Sequence, residues 1–168
     1  MTDAILRFLE GLFGTSDIAH YVITFIISML PIVELRGAIP IGVGILGLPV
    51  FTAAIISVIG NMLPVPFIII FIRKIFGWMR KKSKRLGAFA DRLENKAKSK
   101  GERLYRGELI GLMIFVAIPL PGTGAWTGAL IAAILDIRLK AALPAIGAGV
   151  VIAGILITGI TYGFTALF

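Results

Sequence analysis

The chain has 168 residues, of which 58% are hydrophobic and 15% charged. A mean hydropathy of +0.98 excludes an ordinary soluble domain and points to one compact integral membrane unit. The net charge of +8 is concentrated in one place, and the lack of cysteine excludes disulfides and thiolate metal sites; no cofactor is implied.

Residues 2–13 are short and mildly amphipathic, with Leu6, Leu9, Leu12 and Phe13 on one side, which predicts a helix lying on the membrane surface. The opening Met1-Thr-Asp-Ala lacks the basic region of a signal peptide. The apolar stretches 18–30 and 37–48 end at Pro31 and Pro49. Each is shorter than the about 20 helical residues needed to cross a hydrocarbon core of ~30 Å. Residues 50–77 are long enough to cross, and Asn61-Met-Leu-Pro64-Val-Pro66 predicts a kink within them. Of 17 Lys and Arg, 13 fall between Arg73 and Arg106, the pattern of a cytoplasmic loop under the positive-inside rule. A nucleic-acid surface is disfavoured, because no aromatic stacking pattern accompanies these charges. Leu86, Phe89, Ala90, Leu93 and Ala97 form one apolar stripe, with Glu94/Lys98 and Glu102/Arg106 as i,i+4 pairs. The loop therefore reads as an amphipathic helix, lying on anionic lipid or extending from the preceding span.

The order then repeats. Residues 109–118 are short and end in Pro119-Leu-Pro121-Gly-Thr-Gly-Ala-Trp126. Residues 127–135 are short and end at Asp136-Ile-Arg-Leu-Lys140, and 141–168 are long enough to cross. Gly147, Gly149, Gly154, Gly159 and Gly163 give this last span a smooth face for close packing, within the chain or across a homodimer. The expected fold is an all-α polytopic membrane domain. Repeat 1 covers about 17–77, a basic cytoplasmic linker about 78–107 and repeat 2 about 108–168. Each repeat is a re-entrant hairpin of two half-helices followed by a full crossing, since broken backbone at membrane depth is tolerated only when protein or a cavity covers it. Counting crossings makes the repeats inverted, with both termini outside, as in many secondary transporters. The alternative, in which every apolar stretch crosses, needs spans of about a dozen residues.

Ionisable groups at membrane depth are costly, which singles out Glu34 and Arg36 in Pro-Ile-Val-Glu-Leu-Arg-Gly-Ala-Ile-Pro at 31–40. They either pair and hold the hairpin, or Arg36 binds an anionic group while Glu34, taken out of water, takes up and releases a proton. In the second break Gly122, Thr123 and Gly124 permit unusual dihedrals, and Thr123 is expected to cap the following half-helix. That helix start, and its counterpart near Gly37 and Pro40, would present N–H groups to an anion. The competing reading gives the glycines close packing alone. Pro119, Pro121 and Pro40 are expected to support the breaks, and Asn61 to hydrogen-bond to a neighbouring break. Trp126 is either a lid or packing, and His20 reads as interfacial.

At Glu34-Leu-Arg-Gly-Ala-Ile-Pro40 and Pro119-Leu-Pro-Gly-Thr-Gly-Ala-Trp126 the chain resembles the small multi-drug export protein family over nearly its whole length. In layout it is similar to the DedA/VTT membrane proteins, although their arginine motif after the second hairpin has only Arg138 as a counterpart here. The DedA likeness implies proton-dependent movement of lipid-type phosphates across the cytoplasmic membrane; the family name implies drug efflux. The leading expectation is a carrier of an anionic, lipidic or phosphate-bearing substrate. The alternative is efflux of lipophilic cations with Glu34 as counter-ion. An intramembrane enzyme is disfavoured because His20 has no Ser or Asp partner at useful spacing; a scaffold is the remaining class. The expected partners are membrane lipids, the substrate and a second copy of the chain, with no nucleic acid.

Overall fold

In the computed structural model, residues 2–14, 16–82, 88, 101–120 and 122–167 are described. They are α-helical throughout, with no strand among them. The helices are α1 (Thr2–Phe13), α2 (Asp17–Met29), α3 (Glu34–Gly44), α4 (Val50–Met62), α5 (Pro64–Lys82), α6 (Gly101–Ala117), α7 (Ala125–Ile134) and α8 (Leu139–Leu167). Pro121 and the stripe Leu86, Phe89, Ala90, Leu93 and Ala97 lie outside the described residues.

Apart from α6, which has 17 residues, the lengths follow the expected order of short, short and long. α2 and α3 have 13 and 11 residues, and α7 has 10. At 1.5 Å per residue these reach roughly 15–20 Å, short of the hydrocarbon core. Two stretches among the described residues are long and apolar enough to cross, Val50–Ile75 with 26 residues and Leu139–Gly163 with 25. The first is broken at Leu63, because Pro64 and Pro66 have no N–H to return to the preceding turn. α6 begins at Gly101, earlier than the apolar pattern alone predicts. Its first turns are charged, so hydropathy sees only its second half.

The chain forms two compact units, residues 1–63 with 151–168, and residues 64–150. In the first, Leu6 and Leu9 of α1 join Ile23, Ile27, Ala38, Ile41, Leu46, Leu48 and Ala53 in one core. The apolar side of α1 is thus shared: Leu6 and Leu9 turn inward to this core, whereas Phe8 and Leu12 are exposed. Gly14 ends α1 at φ 81, its N–H returning to the Glu10 carbonyl at 2.8 Å. Ser16 starts α2, accepting the Ala19 N–H at 3.3 Å.

Two glycines set the helix spacing in each unit. In the first, a Cβ on Gly42 of α3 would meet Thr24 of α2 and Ala53 of α4, each at 3.2 Å. A Cβ on Gly60 of α4 would strike the Ser28 hydroxyl and the Phe25 carbonyl of α2. Thr24 and Ser28 can face this apolar contact because their hydroxyls donate to the His20 and Phe25 carbonyls of their own helix. In the second unit, Gly128 of α7 lies against Val116 and Leu112 of α6 and Ile146 of α8. Gly149 of α8 lies against the Met113 carbonyl and Val116 of α6. In both units, therefore, one glycine sits on the second short helix and one on the span that follows, and both press on the first short helix. In the last span Gly149 and Gly154 have close neighbours, but Gly159 and Gly163 have none within 4 Å, so the smooth face is packed only in part.

Gly60→Ala and Gly149→Ala are each expected to lower stability by about 1–3 kcal/mol, because backbone carbonyls stand where the methyl would go. Gly159→Ala, which meets open space, should be neutral or stabilising by up to about 1 kcal/mol. Thermal unfolding in detergent reads the difference; equal losses at all three positions would contradict the packing.

Candidate functional site

The first break is a tight turn over residues 30–33. Leu30 N–H donates to the Ile27 carbonyl at 3.1 Å and Glu34 N–H to the Leu30 carbonyl at 2.9 Å. α3 then starts at Glu34 itself, preceded by Val33 with no side-chain cap. The expected start near Gly37 and Pro40 is therefore moved forward, and Pro40 falls inside the helix. There it has no N–H for the Arg36 carbonyl one turn back, which weakens the ladder at the charged residue.

Glu34 is 4% exposed and holds φ 51, a left-handed conformation that a residue with a Cβ rarely adopts. Backbone held in such a region costs about 1–3 kcal/mol and persists where the surroundings impose it, often at functional sites. Its charge suits the positive N-terminal end of α3. Arg36, two residues on in the same first turn, opposes the dipole there and is partly buried. The Glu34 carboxylate attracts it electrostatically. Helix stability alone gives no reason for an arginine at this place. Gly37 keeps the turn tight, since a Cβ on it would strike the Val33 side chain.

Asn61 is fully buried, as the sequence predicts, yet neither its Oδ1 nor its Nδ2 has a hydrogen-bond partner among the described residues. The expected hydrogen bond to a break is not made. Ser57, one turn earlier on α4, is also fully buried with an unpartnered hydroxyl. α3 and α4 touch at Gly42 and Ala53 and are joined by a short turn, so they run antiparallel. Gly60, next to Asn61, packs against Ser28 and Phe25 of α2. Buried polar groups without partners are few in native proteins and call for a reason.

In the second unit the break runs from Ile118 to Gly124. Gly122 has φ 83, and Gly124, the residue preceding α7, is buried with φ 132 and no side-chain cap. Thr123 does not cap α7. Its hydroxyl donates backward, to the Ile118 carbonyl at 2.7 Å and the Leu120 carbonyl at 2.8 Å, sharing one proton between them. The reason is positional: Gly124 occupies the cap position, so the Thr123 side chain faces carbonyls of its own turn, Ile118 just past α6 and Leu120 within the break. The first-turn N–H groups of α7 consequently have no side-chain cap at Gly124, the condition under which a helix start can receive an anion. Pro119 is partly buried in this turn. Trp126 lines a groove with Phe67, Phe71 and Lys74 of α5.

One further constellation escapes the sequence pattern. Arg73 of α5 donates through Nη2 to the Ile137 carbonyl and lies 3.3 Å from the Asp136 carboxylate. Asp136 adopts φ 52 just past α7; its N–H reaches the Ala133 carbonyl, and the Ile137 N–H reaches the Ala132 carbonyl at 2.9 Å. This is a Schellman ending with aspartate where glycine is usual. Arg73 and Asp136 are 32% and 46% exposed, so most of the pair's worth is positional. Nothing in their spacing announces it; only an acidic residue in a turn and the first basic residue after an apolar span hint at partners.

Large side chains face outward along both spans, among them Phe51, Ile55 and Ile59 on α4 and Ile155 and Ile160 on α8. Water does not tolerate such surfaces on helices of this length, whereas hydrocarbon does. The fold is that of an α-helical integral membrane protein with broken helices and a buried carboxylate. The chain belongs to the family described as "Putative small multi-drug export protein", which matches residues 34–156. The match opens on Glu34, directly after the first break, and closes within α8, so it takes in the charged start of α3 and the whole second break. No curated protein and no solved structure matches the chain.

Thr123→Val should lower stability by about 0.5–1.5 kcal/mol by removing the hydroxyl bonds to two carbonyls that otherwise accept only a backbone N–H, and Thr123→Ser should restore it. Thermal unfolding in detergent reads this. A Val variant as stable as the parent would mean that the hydroxyl does not close the turn.

Proposed function

We propose that the protein is a carrier of the cytoplasmic membrane built from two inverted repeats, each a re-entrant hairpin followed by a crossing span. Matching glycine contacts in the two units support the repeat. So do the lengths of α2, α3 and α7, which fall short of a bilayer. The distribution of basic residues puts residues 73–106 in the cytoplasm and both termini outside.

The substrate is anionic, lipid-like or phosphate-bearing, and its passage is coupled to protons. The observation that carries this reading is Arg36, kept partly buried in the first turn of α3, where the helix dipole opposes it. An anion between Arg36 and the α3 N–H groups satisfies both at once. Glu34, nearly fully buried beside it, is the proton carrier: protonation releases Arg36 for the substrate, and deprotonation returns it to the carboxylate. Ser57 and Asn61, buried on α4 of the same unit without partners among the described residues, supply polar groups for that proton. The uncapped start of α7 offers a second group of donors within its own unit. The family description favours a second reading, efflux of lipophilic cations with Glu34 as counter-ion and Arg36 as its resting partner.

Proteoliposomes separate the two readings. Arg36→Ala should reduce transport of a phosphate-bearing lipid analogue by at least about tenfold, the loss of one charge-assisted contact of 1.5–3 kcal/mol. Glu34→Gln should remove its dependence on a pH gradient. If Arg36→Ala transports the anion normally while Glu34→Gln fails to bind a lipophilic cation, the cation reading replaces the anion one. Topology has its own check. Pro49 is exposed at the turn after α3, and a cysteine placed there should react with an impermeant maleimide from outside only. Reaction from the cytoplasm alone would sink the re-entrant arrangement.

A further inference from the structure

α5 and α7 enclose a groove of about 490 Å³ that the transport reading does not use. Its α5 wall is one continuous face: Pro64, Phe67, Phe71 and Lys74 follow each other at helical spacing, flanked by Ile68 and Ile70, and Trp126 of α7 closes the other side. Every lining residue is apolar or aromatic except Lys74 at one end. Phe67, Phe71 and Lys74 are exposed, so the groove opens outward.

Its dimensions say what fits. From Pro64 to Lys74 the helix rises about 15 Å. That is half of a hydrocarbon core of ~30 Å, the depth of one leaflet. Pro64 stands at the break in the first span, and Lys74 at the point where the charged segment begins. The groove therefore runs from mid-membrane to the headgroup level of the leaflet that the basic segment faces. The cationic end can reach a phosphate while its stem covers apolar wall. Arg73, next in sequence, is engaged by Asp136 and the Ile137 carbonyl, which leaves Lys74 as the cation of the groove.

We propose that this groove is a binding site for one anionic phospholipid of the cytoplasmic leaflet, with an acyl chain along Phe67 and Phe71 against Trp126 and the headgroup phosphate on Lys74. The charge argues for an acidic lipid over a neutral one, because the net positive segment that begins at Arg73 draws anionic headgroups to the same level. The site belongs to α5 and α7 alone. It requires a membrane-spanning α5 but does not depend on what Glu34 and Arg36 carry.

The chain has two tryptophans, Trp78 and Trp126, so Trp78→Phe leaves Trp126 as the single fluorophore. The variant is reconstituted in vesicles of phosphatidylcholine with increasing phosphatidylglycerol, one or the other brominated on its acyl chains. Brominated phosphatidylglycerol should quench Trp126 with an association about fivefold that of brominated phosphatidylcholine. Adding Lys74→Gln should bring the ratio to near one, Lys74→Arg should keep it, and Lys140→Gln, a basic residue outside the groove, should leave it unchanged. Equal quenching by both lipids in the Trp78→Phe protein would mean that only bulk lipid wets the groove, and would overturn the proposal. Persistence of the preference in Lys74→Gln would overturn it too, as would absence of quenching by either lipid, which would mean that protein, such as a second copy of the chain, covers Trp126. Glu34→Gln distinguishes this site from the transport reading: it should abolish proton-coupled transport and leave the quenching ratio intact.

Discussion

A peptide group in hydrocarbon has no water to bond to, so any interruption of helix inside a bilayer must be closed by the protein itself. The chain interrupts its helices repeatedly, and the surrounding packing follows from how each gap is closed. The Thr123 hydroxyl binds two carbonyls of its own turn, Ile118 and Leu120. Arg73 takes the Ile137 carbonyl beyond α7, while Asp136 accepts a left-handed backbone to complete the turn. Where no side chain serves, helices close in on glycine: Gly60 lies on the Phe25 carbonyl and Gly149 on the Met113 carbonyl. These contacts bring backbone to backbone, which is the usual way of joining helices in a solvent that gives no hydrophobic drive between them.

The two breaks solve this problem with different chemistry. The first puts a buried carboxylate at φ 51 and an arginine into the opening turn of α3. The second carries no charge; it relies on Gly122 and Gly124 and on a threonine that binds its own turn. A strained, charged start is expensive and a glycine start is cheap, so the asymmetry has a cost that packing alone does not justify. That cost is the physical ground on which the exchange chemistry is proposed at Glu34 and Arg36. The buried, unpartnered Ser57 and Asn61 on the neighbouring α4 add to it, since polar groups without partners tend to be retained where something polar passes.

Much of the architecture was legible before any coordinates. Composition shows the membrane; Pro31, Pro49 and Pro64 mark where helices stop; and the lengths of the apolar stretches separate short helices from spanning ones. Besides the hydrogen bond that Asn61 does not make, three readings changed on contact with the structure, each for a local reason. The start of α3 lies at Glu34 because a left-handed residue, not Pro40, begins it. Thr123 binds its own turn and not α7 because Gly124 takes the cap position. α1 buries Leu6 and Leu9 in a core, since the same residues that suit a lipid surface suit a helix–helix contact equally well.

By itself, then, the sequence determined the solvent, the helix lengths and the residues whose charge is out of place, because these depend on local composition and on the fixed geometry of a helix. It could not determine which carbonyl a threonine or an arginine reaches. Arg73 finds Ile137 and Asp136 only because α5 and α7 pack side by side, and the groove between Lys74 and Trp126 exists for the same reason. Such contacts join residues dozens of positions apart, and hydrophobic periodicity records only which face is apolar, not what that face meets.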